Sequence, residues 1–417
     1  MGISKVCNLI DCTGCGMCAQ ICGKGAISMS PDEEGFIRPE IDKAKCVECG
    51  LCQKLCPVNT PLSGKKYKPV KIFSGWSNDE ATRMNSSSGG AFTEIAKIVL
   101  AEGGVVFGAA MDENVIVRHT HTDSMQGLML LQGSKYVQSD IGDAYKETLH
   151  FLEKGRHVLF SGTPCQIAGL RNFLRKDYGN LTTVDLVCHG VPSPLIFEDY
   201  KKYVECIIRE RITTVKFRCK KSSWIFYNMG INPHVEKNGS VKYSYIGNYY
   251  SDPYIRVFLR DYILRPNCHT CKYASIGRVS DFTIADWWGY KATSPEDKDF
   301  DKKGVSLVMC NTEKAVAMSK RLDMHLKERT EQEALRTNPA LHKPFPMSKT
   351  RSEFWNDYRT KPFEYMVKKW MQPEKIVLSQ WMKYKQMNNR FISLAVLYER
   401  IMKKLRLKSF LICLAAK

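Results

Sequence analysis

Cysteine is the residue type whose number and spacing carry the clearest chemistry in this chain. Of its 17 cysteines, nine lie within the first 56 residues. Eight of these nine belong to one unit, Cys-x2-Cys-x2-Cys-x3-Cys, which occurs twice. The two copies consist of Cys12, Cys15, Cys18 and Cys22, followed by Cys46, Cys49, Cys52 and Cys56. Closely spaced thiolates of this kind bind iron–sulfur clusters or zinc.

The spacing of the two units predicts two [4Fe–4S] clusters. It is the spacing of bacterial two-cluster ferredoxins, in which the fourth cysteine of each run ligates the other cluster. One cluster is therefore assigned to Cys12, Cys15, Cys18 and Cys56, and the second to Cys46, Cys49, Cys52 and Cys22. Structural zinc and a disulfide knot are the alternatives. A reducing cytoplasm keeps thiols free, which disfavours the disulfide knot.

Four further cysteines lie in polar turns at the ends of predicted strands: Cys165, Cys188, Cys268 and Cys271. The last two form a C-x2-C pair, which the two separate cysteines would complete if the fold brings them together. By spacing alone, zinc would serve as well as iron. The other five cysteines include Cys7, and those inside apolar periods are predicted to be packing residues.

A serine- and glycine-rich turn, residues 86–90 (SSSGG), runs directly into a helical stretch. Free amides and the positive end of that helix would favour an anion such as a phosphate group. Simple capping of the helix by the serines explains the same residues equally well. The chain has neither a complete G-x-G-x-x-G nor a Walker A pattern after a strand, so neither nucleotide-binding label is supported.

Alternating strand-like and helical segments predict an α/β fold with a mixed sheet. Apolar runs predict strands at residues 71–76, 104–110, 157–161, 182–187, 215–219, 282–285 and 305–309. Helical periods predict helices at residues 91–101, 142–153, 165–175, 194–208 and 253–264. The predicted organisation is a ferredoxin-like domain at 1–60, a linker at 61–70, an α/β domain at 71–340 and a basic, mostly helical tail at 341–417.

Composition excludes several classes of protein. The 417 residues are 44% hydrophobic, and no run of about 18 apolar residues or apolar signal core occurs, so we expect a cytoplasmic protein without a transmembrane span. The net charge is +19, and residues 341–417 hold 17 Lys and Arg against 5 Asp and Glu. A tail helix at 391–414 would lie on an anionic membrane or an acidic partner, or simply pack on its own domain. No nucleic-acid-binding motif accompanies the charge.

Seven ordered motifs carry a resemblance to one family. They are SSSGGAFTEIA (86–96), GSKYVQS (133–139), FSGTPCQIAGL (160–170), DLVCHGVPSP (185–194), VKFRCKKSSW (215–224), RPNCHTCKY (265–273) and SDFTIADWWG (280–289). Together they resemble the beta subunit of coenzyme F420 hydrogenase and dehydrogenase, preceded by a ferredoxin domain. The F420-reducing hydrogenase beta subunit and 7-hydroxymethyl chlorophyll a reductase belong to this family. The resemblance covers residues 1–290.

The resemblance implies FAD and a neighbouring [4Fe–4S] cluster in a flavin-binding α/β domain. It implies that Cys165, Cys188, Cys268 and Cys271 ligate this third cluster. The implied flavin-lining residues are Ser87, Ser88, Gly89, Gly90, Lys135, Tyr136 and Gln138. Lys135 would stabilise negative charge on the reduced ring, or form a salt bridge. His189 would relay a proton or donate to a cluster sulfur, or bond to backbone in its turn.

These observations predict an iron–sulfur flavoprotein oxidoreductase. One-electron clusters and a two-electron flavin in one chain make an electron converter. Ferredoxin or another redox protein would exchange electrons with the clusters, and F420 or another organic substrate would react at the flavin. The alternatives are a non-catalytic electron-transfer subunit that serves a catalytic partner, and a sensor with structural or regulatory clusters.

Overall fold

The two cysteine units adopt the same local structure. The computed structural model describes residues 5–60, 66–221, 223–236, 240–290, 294 and 301–372. In each unit a glycine with positive φ, Gly16 or Gly50, precedes a short helix. These helices are α1 (Met17–Ile21) and α2 (Leu51–Lys54), and between them β1 (Ile27–Pro31) pairs antiparallel with β2 (Ile37–Ile41). The sequence repeat is therefore also a structural repeat.

The remaining described residues form two sheets and the helices around them. The strands are β3 (Lys71–Ser77), β4 (Val105–Met111), β5 (Val117–Thr122), β6 (Val158–Gly162), β7 (Leu181–Leu186), β8 (Val215–Cys219), β9 (Asn228–Val235), β10 (Val241–Asn248), β11 (Phe282–Asp286), β12 (Ser306–Cys310) and β13 (Met324–Glu328). The helices are α3 (Glu80–Asn85), α4 (Ala91–Ala101), α5 (Met125–Leu131), α6 (Ala144–Glu153), α7 (Pro164–Leu174), α8 (Pro194–Ile208), α9 (Pro253–Leu259), α10 (Glu313–Ser319), α11 (Glu331–Thr337), α12 (Arg351–Thr360) and α13 (Phe363–Lys369). Short 3-10 helices cover Leu9–Asp11, Pro266–Thr270 and Pro339–Leu341.

The larger sheet is mixed, as the sequence predicts. Its eight strands follow the order β13-β3-β12-β11-β7-β6-β4-β5. The central strands β4, β6, β7 and β11 run parallel, and the other neighbours pair antiparallel. The parallel strands β4 and β6 are strongly apolar, as expected where helices cover a strand on both faces, whereas β7 also buries Thr182, Thr183 and Asp185. Helix α4 is also apolar enough to bury most of its length beside this sheet.

A second, three-stranded antiparallel sheet has the order β10-β9-β8. The sequence predicts β8 with its observed bounds but does not separate it from the main sheet. It misses β9 and β10, because their polar residues, Gly230 and Pro233 weaken the apolar alternation. The predicted helix at 253–264 ends instead at Leu259, shortly before Asp261, which has a φ of 62°.

The segment after residue 340 contains two helices, α12 and α13, in its described part. Helices α12 and α13 contribute Phe354, Trp355, Met366 and Trp370 to a core that also contains α8, α9 and the small sheet. The predicted domain boundary at 340 stays a prediction. The predicted tail helix at 391–414 lies outside the described residues. Within the described residues, no helix has the length and hydropathy needed to cross a bilayer.

Candidate iron–sulfur and flavin site

Four cysteines of the N-terminal units line one small cavity. We call Cys12, Cys15, Cys18 and Cys56 the inner set. All four side chains are buried. The set takes three thiols from the first unit and the last thiol of the second, which is the combination that the ferredoxin spacing predicts.

The chemistry of the inner set fits a metal cluster. Burial raises the pKa of Cys15 to about 12, and the thiols of Cys12 and Cys56 act in the same direction. Burial also raises the pKa of Cys18, which lies near the same three thiols. Metal ligation requires thiolates, and several thiolates in one buried cavity are unfavourable without a cation to compensate them. An iron–sulfur cluster supplies that compensation.

Cys7 is a fifth thiol on the wall of this cavity. Its thiol is hydrogen-bonded to Cys12 and Cys56, and these bonds raise the pKa of Cys7. The bond from Cys7 lowers the pKa of Cys12 to about 6. The sequence assigns no ligand role to Cys7, because it lies outside the repeated unit.

We expect Cys7→Ala to keep the full iron content of the purified protein, because four thiols suffice for one [4Fe–4S] cluster. The matched variant Cys12→Ala should lose about four iron atoms per chain. Iron analysis and visible absorption of anaerobically reconstituted protein measure both results. A loss of about four iron atoms in Cys7→Ala would instead make Cys7 a ligand.

The other four N-terminal cysteines form the outer set: Cys22, Cys46, Cys49 and Cys52. Cys52 lies near Cys22 and Cys49 and interacts with them electrostatically. Cys46 is on the same loop as Cys49. Cys49 is exposed, Cys22 and Cys46 are half-buried, and neighbouring Val47 is 60% exposed. The outer set is therefore the more accessible of the two from solvent.

The four later cysteines also come together; we call them the third set. Cys165 begins α7 directly after β6, and Cys188 follows β7 by two residues. Cys268 and Cys271 lie on and just after the 3-10 helix at 266–270. Burial raises the pKa of Cys188, and the thiols of Cys268, Cys165 and Cys271 act in the same direction. The backbone N–H of Val191 donates to the Cys268 sulfur over 3.4 Å.

Helix α7 connects the third set to the inner set. A Cβ atom added to Gly169 would lie 3.1 Å from the Cys15 sulfur, so the helix touches that residue directly. Cys165 is four residues earlier, which places it about 5–6 Å away along the same helix face. The Tyr145 hydroxyl lies within hydrogen-bond distance of the carbonyl oxygens of Cys15 (2.9 Å) and Gln166 (2.8 Å), to which its single O–H can donate. The backbones that carry the two sets are thus held together.

The glycine-rich turn lies at the same edge of the main sheet as the third set. This edge contains the carboxyl ends of β3, β6, β7 and β11. The Ser87 hydroxyl accepts a hydrogen bond from the N–H of Ser134, which joins the turn to the predicted flavin-lining segment 133–139. The Ser88 hydroxyl donates to Val305, and the Gly89 N–H donates to Ser306. Gly90 precedes α4, whose N-terminus has no side-chain cap.

The structure gives each predicted lining side chain definite partners. The Lys135 ammonium donates to the carbonyl groups of Leu130 and Gln132 at the end of α5, and burial lowers its pKa to about 7. The Tyr136 hydroxyl accepts from Arg218. The side-chain amide oxygen of Gln138 accepts a hydrogen bond from the N–H of Ile37, in the ferredoxin-like part of the chain. Flavin contacts of these residues stay predictions.

His189 lies beside the third set but bonds to a carboxylate rather than to backbone. Its Nε2 is 2.7 Å from the Asp261 carboxylate, and its ring lies 4.0 Å from that of Phe345. This partner fixes the ring orientation. The predicted proton relay through His189 stays a prediction.

A buried cationic cluster at this edge was not identified from the sequence. Arg218 forms two hydrogen bonds with Asp286, and this carboxylate outweighs burial and raises the pKa of Arg218. The Trp224 indole donates to Asp286 and stacks on Trp288 with 5.1 Å between ring centroids. Lys220 donates to the carbonyl groups of Arg83 and Ser88, and burial lowers its pKa to about 7. The two motifs at residues 215–224 and 280–289 contain most of these residues, and they were the signal in the sequence from which the cluster could have been found.

Comparison with known proteins identifies two parts of the chain. The family model for coenzyme F420 hydrogenase/dehydrogenase, which describes the C terminus of the beta subunit, matches residues 155–334. The model described as a 4Fe-4S dicluster domain matches residues 11–60. These matches contain the third set and both N-terminal sets, respectively. The chain therefore contains a domain that belongs to the family of F420 hydrogenase/dehydrogenase beta subunits, preceded by a 4Fe–4S dicluster domain.

Relatives agree with this membership. The F subunit of the F(420)H(2) dehydrogenase of Methanosarcina mazei is 24% identical over 52% of this chain and 65% of its own length. The coenzyme F420-dependent sulfite reductase of Methanocaldococcus jannaschii is 26% identical over 63% of this chain and 40% of its own length. An uncharacterized ferredoxin of the latter organism is 34% identical over 17% of this chain and 90% of its own length. The chain thus spans less than two thirds of the first two relatives.

A solved structure, the F420-reducing [NiFe] hydrogenase complex from Methanosarcina barkeri, contains a chain that superposes with a TM-score of 0.44. The identity is 15%, over 75% of this chain and 98% of that chain. Within its family, the present protein is an iron–sulfur member related to redox enzymes and their electron-transfer subunits.

Proposed function

We propose that this family member is an iron–sulfur flavoprotein oxidoreductase. Electrons would pass between the outer, inner and third sets and a bound FAD, and an organic two-electron substrate would react at the flavin. The observation that carries the proposal is the contact of α7 with Cys15, because it connects the third set to the inner set through one helix. The opposite direction of flow uses the same residues.

The order of the sets follows from exposure. The outer set contains exposed Cys49, whereas the inner set is buried and its Cys15 lies against α7. An external one-electron carrier would therefore approach the outer set. The net charge of +19, most of which lies in residues 341–417, favours an acidic carrier such as a ferredoxin, because opposite charges raise the rate of encounter.

Two features of the sheet edge support a flavin dinucleotide there. Helix α4 begins at a glycine-rich turn without a side-chain cap, which suits a phosphate group. The Nε of Arg218 is buried without a hydrogen-bond partner in the described structure, so it is a donor available to a ligand. A bound flavin would supply conversion between one-electron and hydride chemistry. Arg218, Lys220 and Asp286 would set the charge around it.

F420 is the leading candidate substrate, because both longer relatives carry its name. Any other organic hydride donor or acceptor that fits the same edge remains within the proposal. The second candidate function is electron transfer to a separate catalytic subunit. It is favoured by the M. mazei relative, which is itself named as a subunit.

Cofactor content tests the proposal most directly. We expect about twelve iron atoms and one FAD per chain after anaerobic reconstitution, four iron atoms for each of three sets. Reduced ferredoxin should then bleach the flavin absorption band, and oxidised F420 should restore it. Iron and zinc analysis, flavin extraction and anaerobic absorption spectroscopy measure these outcomes.

Each failure has its own meaning. About eight iron atoms would remove the third cluster, and zinc in place of the missing iron would reassign the third set. Iron without flavin would favour the sensor alternative. A flavin that is reduced by ferredoxin but not reoxidised by F420 would mean that another substrate, or a catalytic partner subunit, accepts its electrons.

A further inference from the structure

Arg265 is a fully buried cation between the inner and third sets. Its Nε donates to the carbonyl group of Cys12 over 2.8 Å, and one Nη donates to the carbonyl of Ile37 over 2.8 Å. The same Nη lies 3.9 Å from the Cys12 sulfur. The other Nη donates to the side-chain oxygen of Gln138 over 3.1 Å.

The backbone of Arg265 is hydrogen-bonded to a cysteine of the third set. Its carbonyl accepts a hydrogen bond of 2.9 Å from the N–H of Cys268, and Arg265 caps the 3-10 helix that carries that cysteine. The guanidinium also acts electrostatically on Cys165 and Cys268, where it favours the thiolate. One side chain therefore influences thiols of both sets.

The charge of Arg265 has no carboxylate partner within the described part of the chain. Two neighbouring arginines differ in this respect: Arg38 pairs with Asp32, and Arg351 pairs with Glu34. The hydrogen-bond partners of Arg265 are two carbonyl groups, one amide oxygen and a sulfur, and its guanidinium lies over the ring of Phe36, which is uncharged. Burying an unpaired guanidinium is costly, so a nearby anion is required to balance it.

Thiolate-held [4Fe–4S] clusters supply such an anion. Each is negatively charged when oxidised and gains one further negative charge on reduction. A fixed positive charge in a buried site therefore favours the reduced form. Because burial weakens solvent screening, the effect is larger there than at the protein surface.

We propose that Arg265 is a shared positioning residue whose charge raises the reduction potentials of the clusters on the inner and third sets. This inference rests on the proposed three-cluster circuit. The charge of Arg265 makes the clusters on the inner and third sets easier to reduce by electrons from the outer set. It also lowers the repulsion between these two neighbouring anionic clusters.

The backbone of the first cysteine unit leaves room for this guanidinium. Gly14 has a φ of 67°, and a Cβ atom there would lie 2.5 Å from an Nη of Arg265 and 2.6 Å from the Gln138 amide nitrogen. Any larger residue would displace the guanidinium from the position beside Cys12. Gly14 therefore serves the approach of Arg265 as well as the cysteine turn.

Redox titration of the full chain, monitored by electron paramagnetic resonance, tests the proposal. Iron analysis first establishes which clusters each variant holds, so that a missing third cluster is separated from a wrong role for Arg265. We expect Arg265→Gln to lower the potential of the inner-set cluster by at least a tenfold change in its reduction equilibrium, about 59 mV. Arg265→Lys, which keeps the charge, should lie closer to the wild type.

Two further variants control the interpretation. Arg329→Gln removes a buried guanidinium that contacts Trp287 and Tyr290, and it should leave the cluster potentials unchanged. Gln138→Glu keeps the bond to Arg265 but places a carboxylate on it, and should lower the inner-set potential. This nearly isosteric variant decides the matter if Arg265→Gln fails to retain its clusters.

Two results would overturn the proposal. One is a wild-type potential in Arg265→Gln, or in Gln138→Glu where Arg265→Gln cannot be measured. The other is an equal shift in Arg265→Gln and Arg265→Lys, which would show that lost hydrogen bonds rather than charge move the potential.

Discussion

Replacing Cys165 with alanine is expected to lower the iron content from about twelve to about eight atoms per chain. It should also abolish reduction of the flavin by ferredoxin, while the two N-terminal clusters remain reducible. The reason is the position of Cys165 on α7, between the contact with Cys15 and the other three thiols of the third set. Without the third cluster, no electron carrier lies between the cluster of the inner set and the proposed flavin.

The control for this variant is Cys310→Ala. Cys165 is half-buried and Cys310 is a fully buried thiol, but Cys310 lies on β12 and belongs to none of the three sets. It should keep all the iron and the ferredoxin-dependent bleaching. Stopped-flow absorption under anaerobic conditions compares the flavin and cluster bands in both variants. Rapid flavin reduction in Cys165→Ala that has lost its third cluster would exclude the proposed route.

The N-terminal site could be anticipated because its ligands are local in sequence. Three thiols of each unit lie within seven residues, and the repeat itself relates Cys22 to Cys56. The main sheet could be anticipated for a similar reason, because its central strands are short apolar runs between amphipathic helices. The structure confirms a mixed α/β architecture.

Long-range polar contacts could not be derived in this way. Arg265 and Cys12 are 253 residues apart, and Arg218 and Asp286 are 68 apart. Residues so far apart in sequence leave no periodic pattern that would relate them. Charged residues are also expected at the surface unless the fold supplies a partner, so their burial was not expected. The two carbonyl partners of the Lys135 ammonium at the end of α5 could not be derived from its motif either, and its flavin contact stays a prediction.

Arg278→Ala is expected to cost about 3–5 kcal/mol in the free energy of unfolding, because it leaves a buried carboxylate without its charge partner. Arg278 and Asp185 have side chains that are 1% and 0% exposed and lie 2.9 Å apart. The guanidinium also donates to the carbonyl groups of Leu186 and Tyr273. It thus ties the end of β7, just before Cys188, to the segment that follows Cys271, so the variant should also bind the third cluster weakly.

Urea unfolding monitored by circular dichroism, together with iron analysis, measures both effects. Lys146→Ala, which breaks an exposed ion pair with Asp143, should change stability by less than about 1 kcal/mol. The double variant Arg278→Met with Asp185→Asn should be more stable than Arg278→Ala, because no unpaired charge remains buried. A cost below about 1 kcal/mol for Arg278→Ala would mean that the ion pair contributes little to stability and does not hold the third set in place.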